Sequence, residues 1–226
     1  MTDRQNTSER GTNYDFVLCL DKTNRNLLID GELPDVLPTL RERLTAFNPE
    51  RKIVRIRLRF IFFGDYKCDC EPMIETQFFD FDTELEEMLN LLVSVKQGGG
   101  GDLPESSLEA LALALGSECN TPVDADNRLT VVMLTDAPPH PLWDEGRAAS
   151  PSYPTDIPGD LDGLRKMWEN EDVKYRRLLL FAPSESEDWE TVSGWKNVIH
   201  RPIIQGCYYD LTGEELLDIT VAATLS

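Results

Sequence analysis

The sequence predicts an α/β fold: a doubly wound, mostly parallel six-stranded sheet with one antiparallel edge strand and helices on both faces. Three observations lead there. Short apolar runs rich in strand formers alternate with segments whose apolar residues recur at helical spacing, the order expected of βαβ units. The runs at 14–20 (YDFVLCL), 129–134 (LTVVML) and 177–182 (RLLLFA) are apolar almost throughout, as strands covered on both faces are. Only the turn-like DYKCDCEP separates the runs at 55–63 and 74–81, too little for the helix of a parallel crossover, so 74–81 is expected to run antiparallel at an edge.

The first strand, 14–20, leads to a helix at 34–47 (PDVLPTLRERLTAF). There Val36, Leu37, Leu40, Leu44 and Phe47 share one face, and Pro34 sits early, where a missing N–H is harmless. Residues 55–63 (RIRLRFIFF) alternate charged and apolar side chains before turning fully apolar, which predicts a strand half exposed at its start and buried at its end. After the edge strand 74–81 (IETQFFDF), a helix over 83–95, capped by Asp82 or Thr83, turns Leu85, Met88, Leu89, Leu92 and Val95 inward. The glycine loop 98–105 opens a mostly apolar helix at 108–115 (LEALALAL), and 129–134 follows as the central strand. Residues 137–158 hold six prolines and little periodicity, which reads as a long ordered loop leaving the end of that strand. A helix at 161–170 with Leu164, Met167 and Trp168 inward, a strand at 177–182, a short helix at 187–195 and a strand at 198–204 continue the alternation. The final helix, 213–225, begins at Thr212 and carries Glu214 and Glu215 in its first turn, where the helix dipole favours them.

At 226 residues the chain suits one α/β domain, here 14–226, preceded by a polar, disordered stretch at 1–13. With 41 acidic against 22 basic residues its net charge is −19, so the surface repels phosphate backbones and anionic lipid heads; neither nucleic acid nor a membrane is an expected partner. No run approaches the roughly 20 apolar residues that span a bilayer, and the first residues lack the apolar core of a secretory signal. The five cysteines form no even disulfide framework, in keeping with a cytoplasmic protein. Cys68 and Cys70 (KCDCEP) are half of a soft metal clip with no second pair to complete it.

Function is sought in the loops. Asp21-Lys22-Thr23 follows the first strand, Gly98 to Glu105 (GGGGDLPE) opens a helix, and Thr135-Asp136 closes LTVVML. In a parallel sheet, loops at the carboxyl ends of neighbouring strands converge on one crevice. Asp21, Thr23, Asp102 and Asp136 would then face one another. Gathered carboxylates require a cation, a basic side chain or a proton, and hard oxygen donors of this kind suit Mg²⁺, Mn²⁺ or Ca²⁺.

Together the strand with D-x-T, the GGGGDLPE loop and the LTDAPPH turn resemble the von Willebrand factor type A (vWA) domain, over nearly the whole chain. The resemblance implies a doubly wound sheet with one antiparallel edge and a metal ion-dependent adhesion site. Asp21 matches the family's first Asp, Thr23 its first Ser, Asp102 falls where the loop Thr usually lies, and Asp136 matches the last Asp. It further implies a module that binds another protein through an acidic residue completing the metal's coordination. His140, Trp143 and Tyr153, on the Pro-rich loop beside the opening, are candidates for the rim of that interface. The pattern departs at Arg25, which replaces a second Ser ligand with a guanidinium that cannot coordinate a cation.

Two alternatives stand beside this reading. Arg25 turned into the crevice would pair with Asp21 or Asp102 and leave a metal-free scaffold. Asp21-Lys22-Thr23 also looks like the start of the D-K-T-G-T motif of aspartyl-phosphate enzymes, with Asp21 as nucleophile, although Asn24-Arg25 replaces the Gly-Thr and Asp102 would repel a phosphate. The vWA-like reading predicts no catalysis.

Overall fold

The computed structural model describes residues 11–23, 31–99, 101, 103–118, 125–170, 175–205 and 211–225. Within them the chain is α/β, with a mostly parallel open sheet, an antiparallel edge and helices packed on it. Strand β1 (Thr12–Asp21) lies parallel to β2 (Ile53–Phe63) on one side and to β5 (Asp126–Leu134) on the other; β6 (Tyr175–Pro183) and β7 (Val198–Ile203) extend the sheet in parallel beyond β5. The short strands β3 (Met73–Glu75) and β4 (Phe79–Asp80) pair antiparallel with β2. The order is β3-β2-β1-β5-β6-β7, with β4 also beside β2. The chain thus leaves β1 to one side for β2 and returns to the other side for β5.

Among the described residues the sheet has seven strands rather than the expected six, because the segment at 74–81 does not form one continuous edge. Ile61 pairs with Glu75, which in unbroken register would set Leu58 against Phe78, yet Leu58 pairs with Phe79. One extra residue has entered the edge, a β-bulge. Thr76 marks the break: its hydroxyl, in place of a backbone carbonyl, accepts from the Phe60 amide at 2.9 Å. Phe78 and Phe79 contribute to separate apolar clusters.

Alternation along β1 sorts the core in two. Tyr14, Phe16, Leu18 and Leu20 pack with helices α1 (Leu33–Val36), α2 (Leu40–Phe47), α3 (Leu85–Ser94) and α8 (Gly213–Leu225). Val17 and Cys19 pack with α4 (Ser107–Leu115), α6 (Leu161–Trp168) and α7 (Glu187–Ser193). Successive side chains of a strand point to opposite faces, so the strand is buried on both. The Pro-rich loop contains one short helix, α5 (Glu145–Ala148).

Three local expectations are corrected. The helix at 34–47 is divided by a 3₁₀ turn, Leu37–Thr39, around Pro38, which has no N–H to donate. Three residues per turn instead of 3.6 rotate the downstream face, so Leu40 and Leu44 remain buried while Phe47 is 60% exposed. Helix α3 begins after Glu84, with no side-chain cap from Asp82 or Thr83. The last strand stops at Ile203, and Ile204 is exposed. Thr212 does begin α8, as half of a capping box: its hydroxyl accepts from the Glu215 amide while Glu215 Oε2 accepts from the Thr212 amide at 3.1 Å. Among the described residues no helix is long and apolar enough to cross a membrane.

Candidate functional site

β1 and β5 are neighbours paired to their carboxyl ends, and the chain leaves β1 for one side of the sheet and β5 for the other, which makes these ends the position where open α/β sheets accept ligands. Asp21 is the last residue of β1 and is fully buried. Its Oδ1 accepts from the Thr23 amide at 2.9 Å and from Thr23 Oγ1 at 2.7 Å, an Asx-type turn that folds Thr23 back over the strand end. Its Oδ2 accepts from Thr135 Oγ1 at 2.8 Å, on the turn that leaves β5. Asp136 follows, also buried, and its charge acts on Asp21. Burial pushes the Asp21 carboxyl up to about 6; hydrogen bonds from Thr23 and Thr135 oppose the shift, and Asp136 adds to it.

Two further loops close on this point. After β2 the chain passes through Gly64 to Asp65, which is fully buried; Asp65 Oδ1 accepts from the Lys67 amide at 3.0 Å, and Oδ2 has no hydrogen-bond partner. Glu105, at the end of the glycine loop, is 3% exposed, and its Oε2 likewise has no partner. Its backbone is stitched to the turn after β5: the Glu105 amide donates to Pro138 O at 3.0 Å, and its carbonyl accepts from the His140 amide at 2.9 Å. The next amide, Ser106, donates to Gly64 O at 3.0 Å. Burial raises the Glu105 carboxyl to about 9, helped by the charges of Asp21, Asp65 and Asp69 and opposed by a hydrogen bond with the Thr23 side chain. The strand ends therefore gather buried carboxyl groups on loops tied to one another by backbone hydrogen bonds.

Glycine is required where the loops touch. Gly98 and Gly99 have φ of +121° and +108°, and a Cβ at Gly99 would come within 2.4 Å of Asp69 Oδ1. Gly98 donates to Lys22 O at 2.8 Å, anchoring the loop to the end of β1.

Of the predicted metal ligands, Asp21, Thr23 and Asp136 come together here; Asp102 and the modulator Arg25 lie outside the described residues. Among the described residues no three His, Cys, Asp or Glu side chains form a group that could hold a metal ion by themselves. The donor chemistry nevertheless fits a small hard cation, which takes one or two carboxylates, hydroxyl oxygens and water, and the orphaned oxygens of Glu105 and Asp65 are the kind of atom it would satisfy. Cys68 and Cys70 are both exposed.

The three rim candidates differ in placement. His140 is mostly buried, its Nε2 3.5 Å from Asp65 Oδ1, so it lines the pocket wall. Tyr153 is also buried: its hydroxyl donates to Glu109 Oε1 at 2.9 Å and accepts from the Trp143 amide at 3.1 Å. Trp143 is 53% exposed, at φ +57°, with its ring edge-on to Tyr153 at 5.8 Å. Beneath them lies an unforeseen pair: Arg147 Nη1 donates to Glu109 Oε1 at 2.6 Å with both side chains fully buried, and Arg147 Nη2 donates to Pro141 O.

Sequence reading passed over Glu105, Asp65 and Thr135. Asp65 was within its reach, since Asp65 follows the end of β2 as Asp21 and Asp136 follow β1 and β5. Glu105 carried no such signal, because its approach depends on how the glycine loop returns across the sheet. A groove of about 780 Å³ between α2, α8 and β7, lined by Phe47, Ile199 and Ile219 among others, contains none of these acidic residues.

No protein-family model matches this chain, and no curated protein matches it, so function has to be read from the geometry of the crevice.

Proposed function

We propose that the chain is a doubly wound, vWA-like domain that mediates protein–protein contact in the cytosol by binding an acidic group of a partner through a divalent cation, Mg²⁺ or else Mn²⁺ or Ca²⁺. Thr23, Asp136 and Asp102 hold the cation, Asp21 is their anchor, and Trp143 presents an apolar contact beside the opening. The observation that carries this reading is the excess of buried carboxylates over counter-charges at the strand ends, with Glu105 Oε2 and Asp65 Oδ2 lacking any partner. An added cation neutralises them, and an open position on it recruits an external carboxylate to an otherwise acidic surface. Calorimetric titration with Mg²⁺ or Mn²⁺ tests the proposal: one site is expected, lost in Asp136→Ala. Absence of heat, with no change in melting temperature on adding metal, refutes it.

A metal-free scaffold is the second reading, and one observation favours it. Both Asp21 oxygens already accept hydrogen bonds, and a carboxyl raised to about 9 at Glu105 holds its own proton at neutral pH. Protons then do the work of the cation. Aspartyl-phosphate chemistry has less support, because Asp21 is fully buried and both of its oxygens are already engaged by Thr23 and Thr135, which leaves little room for in-line attack. Turnover of an aryl phosphate with Mg²⁺, abolished by Asp21→Asn, would establish it.

A further inference from the structure

Independently of the acidic strand ends, we propose that the groove between α2, α8 and β7 is a docking site for an amphipathic helix of another protein, held by bulky apolar side chains and by a carboxylate that pairs with Arg201.

Three elements supply the sides of this groove: Ala46 and Phe47 at the end of α2, Ile219 and Ala222 on α8, and Ile199 and Arg201 on β7. β7 ends the sheet on this side. Val198 turns to the face covered by α7, and Ile199 turns to the opposite face, where α8 packs on β5 and β6 and leaves β7 open beside it. Phe47, 60% exposed, therefore stands next to half-buried Ile199 and Ile219 as apolar surface that the chain itself does not cover.

Two observations choose the occupant. The Leu178 amide donates to Asn197 O at 3.1 Å, and Leu178 is in register with Val198, so Ile199, Arg201 and Ile203 bond to β6 while Val198, His200 and Pro202 turn their backbone groups outward. Pro202 has no N–H to give there, which blunts the edge against an added strand and favours a helix laid in the groove, with apolar anchors at i, i+3, i+4 and i+7. Charge supplies the second observation. Arg43 is consumed in the wall, its Nε donating to Thr39 Oγ1 at 2.8 Å and its Nη atoms to Asp218 and Glu214. Arg201 is exposed, and among the described residues no carboxylate pairs with it. The charged side chains lining the groove are thus two arginines and one aspartate, on a chain with 41 acidic against 22 basic residues. Two copies of so acidic a chain repel each other, whereas one carboxylate beside Arg201 acts within the roughly 8 Å over which charges are felt at physiological salt.

Two fluorescein-labelled, alanine-based peptides of about 14 residues, roughly four turns of helix, serve as probes. Both carry leucine at i, i+3, i+4 and i+7, and they differ in having glutamate or lysine beside that stripe. Binding is read by fluorescence anisotropy in chelator, so that the fate of the cation reading plays no part. Phe47 and Arg201 are exposed, and Phe47→Asp and Arg201→Glu should melt with the parent. The expected result is saturable binding of the glutamate peptide by the parent in preference to the lysine peptide, binding weaker by about tenfold in Phe47→Asp, and a reversed preference, lysine over glutamate, in Arg201→Glu. No saturable binding of the glutamate peptide, or binding that either variant leaves unchanged, overturns the proposal. Equal binding of the two peptides by the parent, or preference for lysine, overturns the acidic partner. A parent dimer in sedimentation that Phe47→Asp dissociates gives the groove to a second copy of this chain and overturns it as well.

Discussion

Replacing Glu109 with leucine breaks the buried pair under the Pro-rich loop, and the structure sets the size of the effect. Glu109 Oε1 accepts from Arg147 Nη1 at 2.6 Å and from the Tyr153 hydroxyl at 2.9 Å, and neither Glu109 nor Arg147 reaches solvent. The variant leaves a guanidinium buried with only Pro141 O and a distant Ser106 Oγ, 3.5 Å from Nη1, as acceptors. An uncompensated buried charge of this kind costs about 3–5 kcal/mol, or about 6–20 °C in melting temperature for a domain of this size. Arg147→Met strands the carboxylate instead. Burial already holds Glu109 above its ordinary value against the opposing charge of Arg147, so without Arg147 it takes up a proton. A raised folded value means that stability is fully present below the unfolded carboxyl's range, about 4.3, and is lost as pH rises through the folded value; the Arg147→Met penalty should therefore be small in acid and grow toward neutrality. Glu109→Leu shows no such relief.

The double variant Glu109→Leu, Arg147→Met is the decisive member. Apolar side chains of similar volume often replace a buried pair at little cost, and here Glu109 Oε2 and Arg147 Nε have no partners even in the intact pair, so the double variant should return to within about 1–2 kcal/mol of the parent. Urea unfolding at neutral pH measures this, with an unchanged m value as the sign that the denatured state is unaltered. A loss below about 1 kcal/mol in Glu109→Leu, or a double variant equal to the sum of the singles, would refute the assignment of an electrostatic latch.

Further outcomes are open to measurement. In chelator, stability should fall as pH rises from about 4, because the Asp21 carboxyl is raised to about 6 and the Glu105 carboxyl to about 9 in the fold; Asp21→Asn should remove on the order of 3 kcal/mol of that fall, all of it below about pH 6, and leave the part that Glu105 carries to higher pH. Gly99→Ala should destabilise by about 1–3 kcal/mol, from positive φ and collision with Asp69, and should do so more than Gly98→Ala, which meets positive φ but open space; equal effects would count against the contact. Alkylation of the native protein followed by peptide mass mapping should label exposed Cys68 and Cys70 and spare Cys19, which is buried, its Sγ 3.7 Å from Ala110 O, and whose thiol burial pushes far above the usual range.

The strands and helices were legible because their signals are local. YDFVLCL and LTVVML read as buried strands from composition alone, and Asp21 and Asp136 could be placed on one edge because a parallel sheet aligns its carboxyl ends. The bulge at Thr76 was hidden, since it arises when one hydroxyl replaces a carbonyl in pairing with Phe60, and the exposure of Phe47 was hidden because a 3₁₀ turn shifts phase without altering the apolar spacing. Tyr153 read as a rim aromatic and lies instead under the loop, bonded to Glu109.

By itself the sequence determined which segments form the sheet, which strand ends carry acid, and that the surface as a whole is negative, all properties of neighbours along the chain. Only the tertiary structure decided that Glu105 and Asp65 bring orphaned oxygens to the same crevice, that Thr135 and Thr23 share Asp21, and that Arg147 neutralises Glu109. Those pairings join residues up to 114 positions apart. Whether such groups meet depends on strand order and on how loops return across the sheet, and strand order is set by burial of the whole core, to which no short stretch of sequence bears witness.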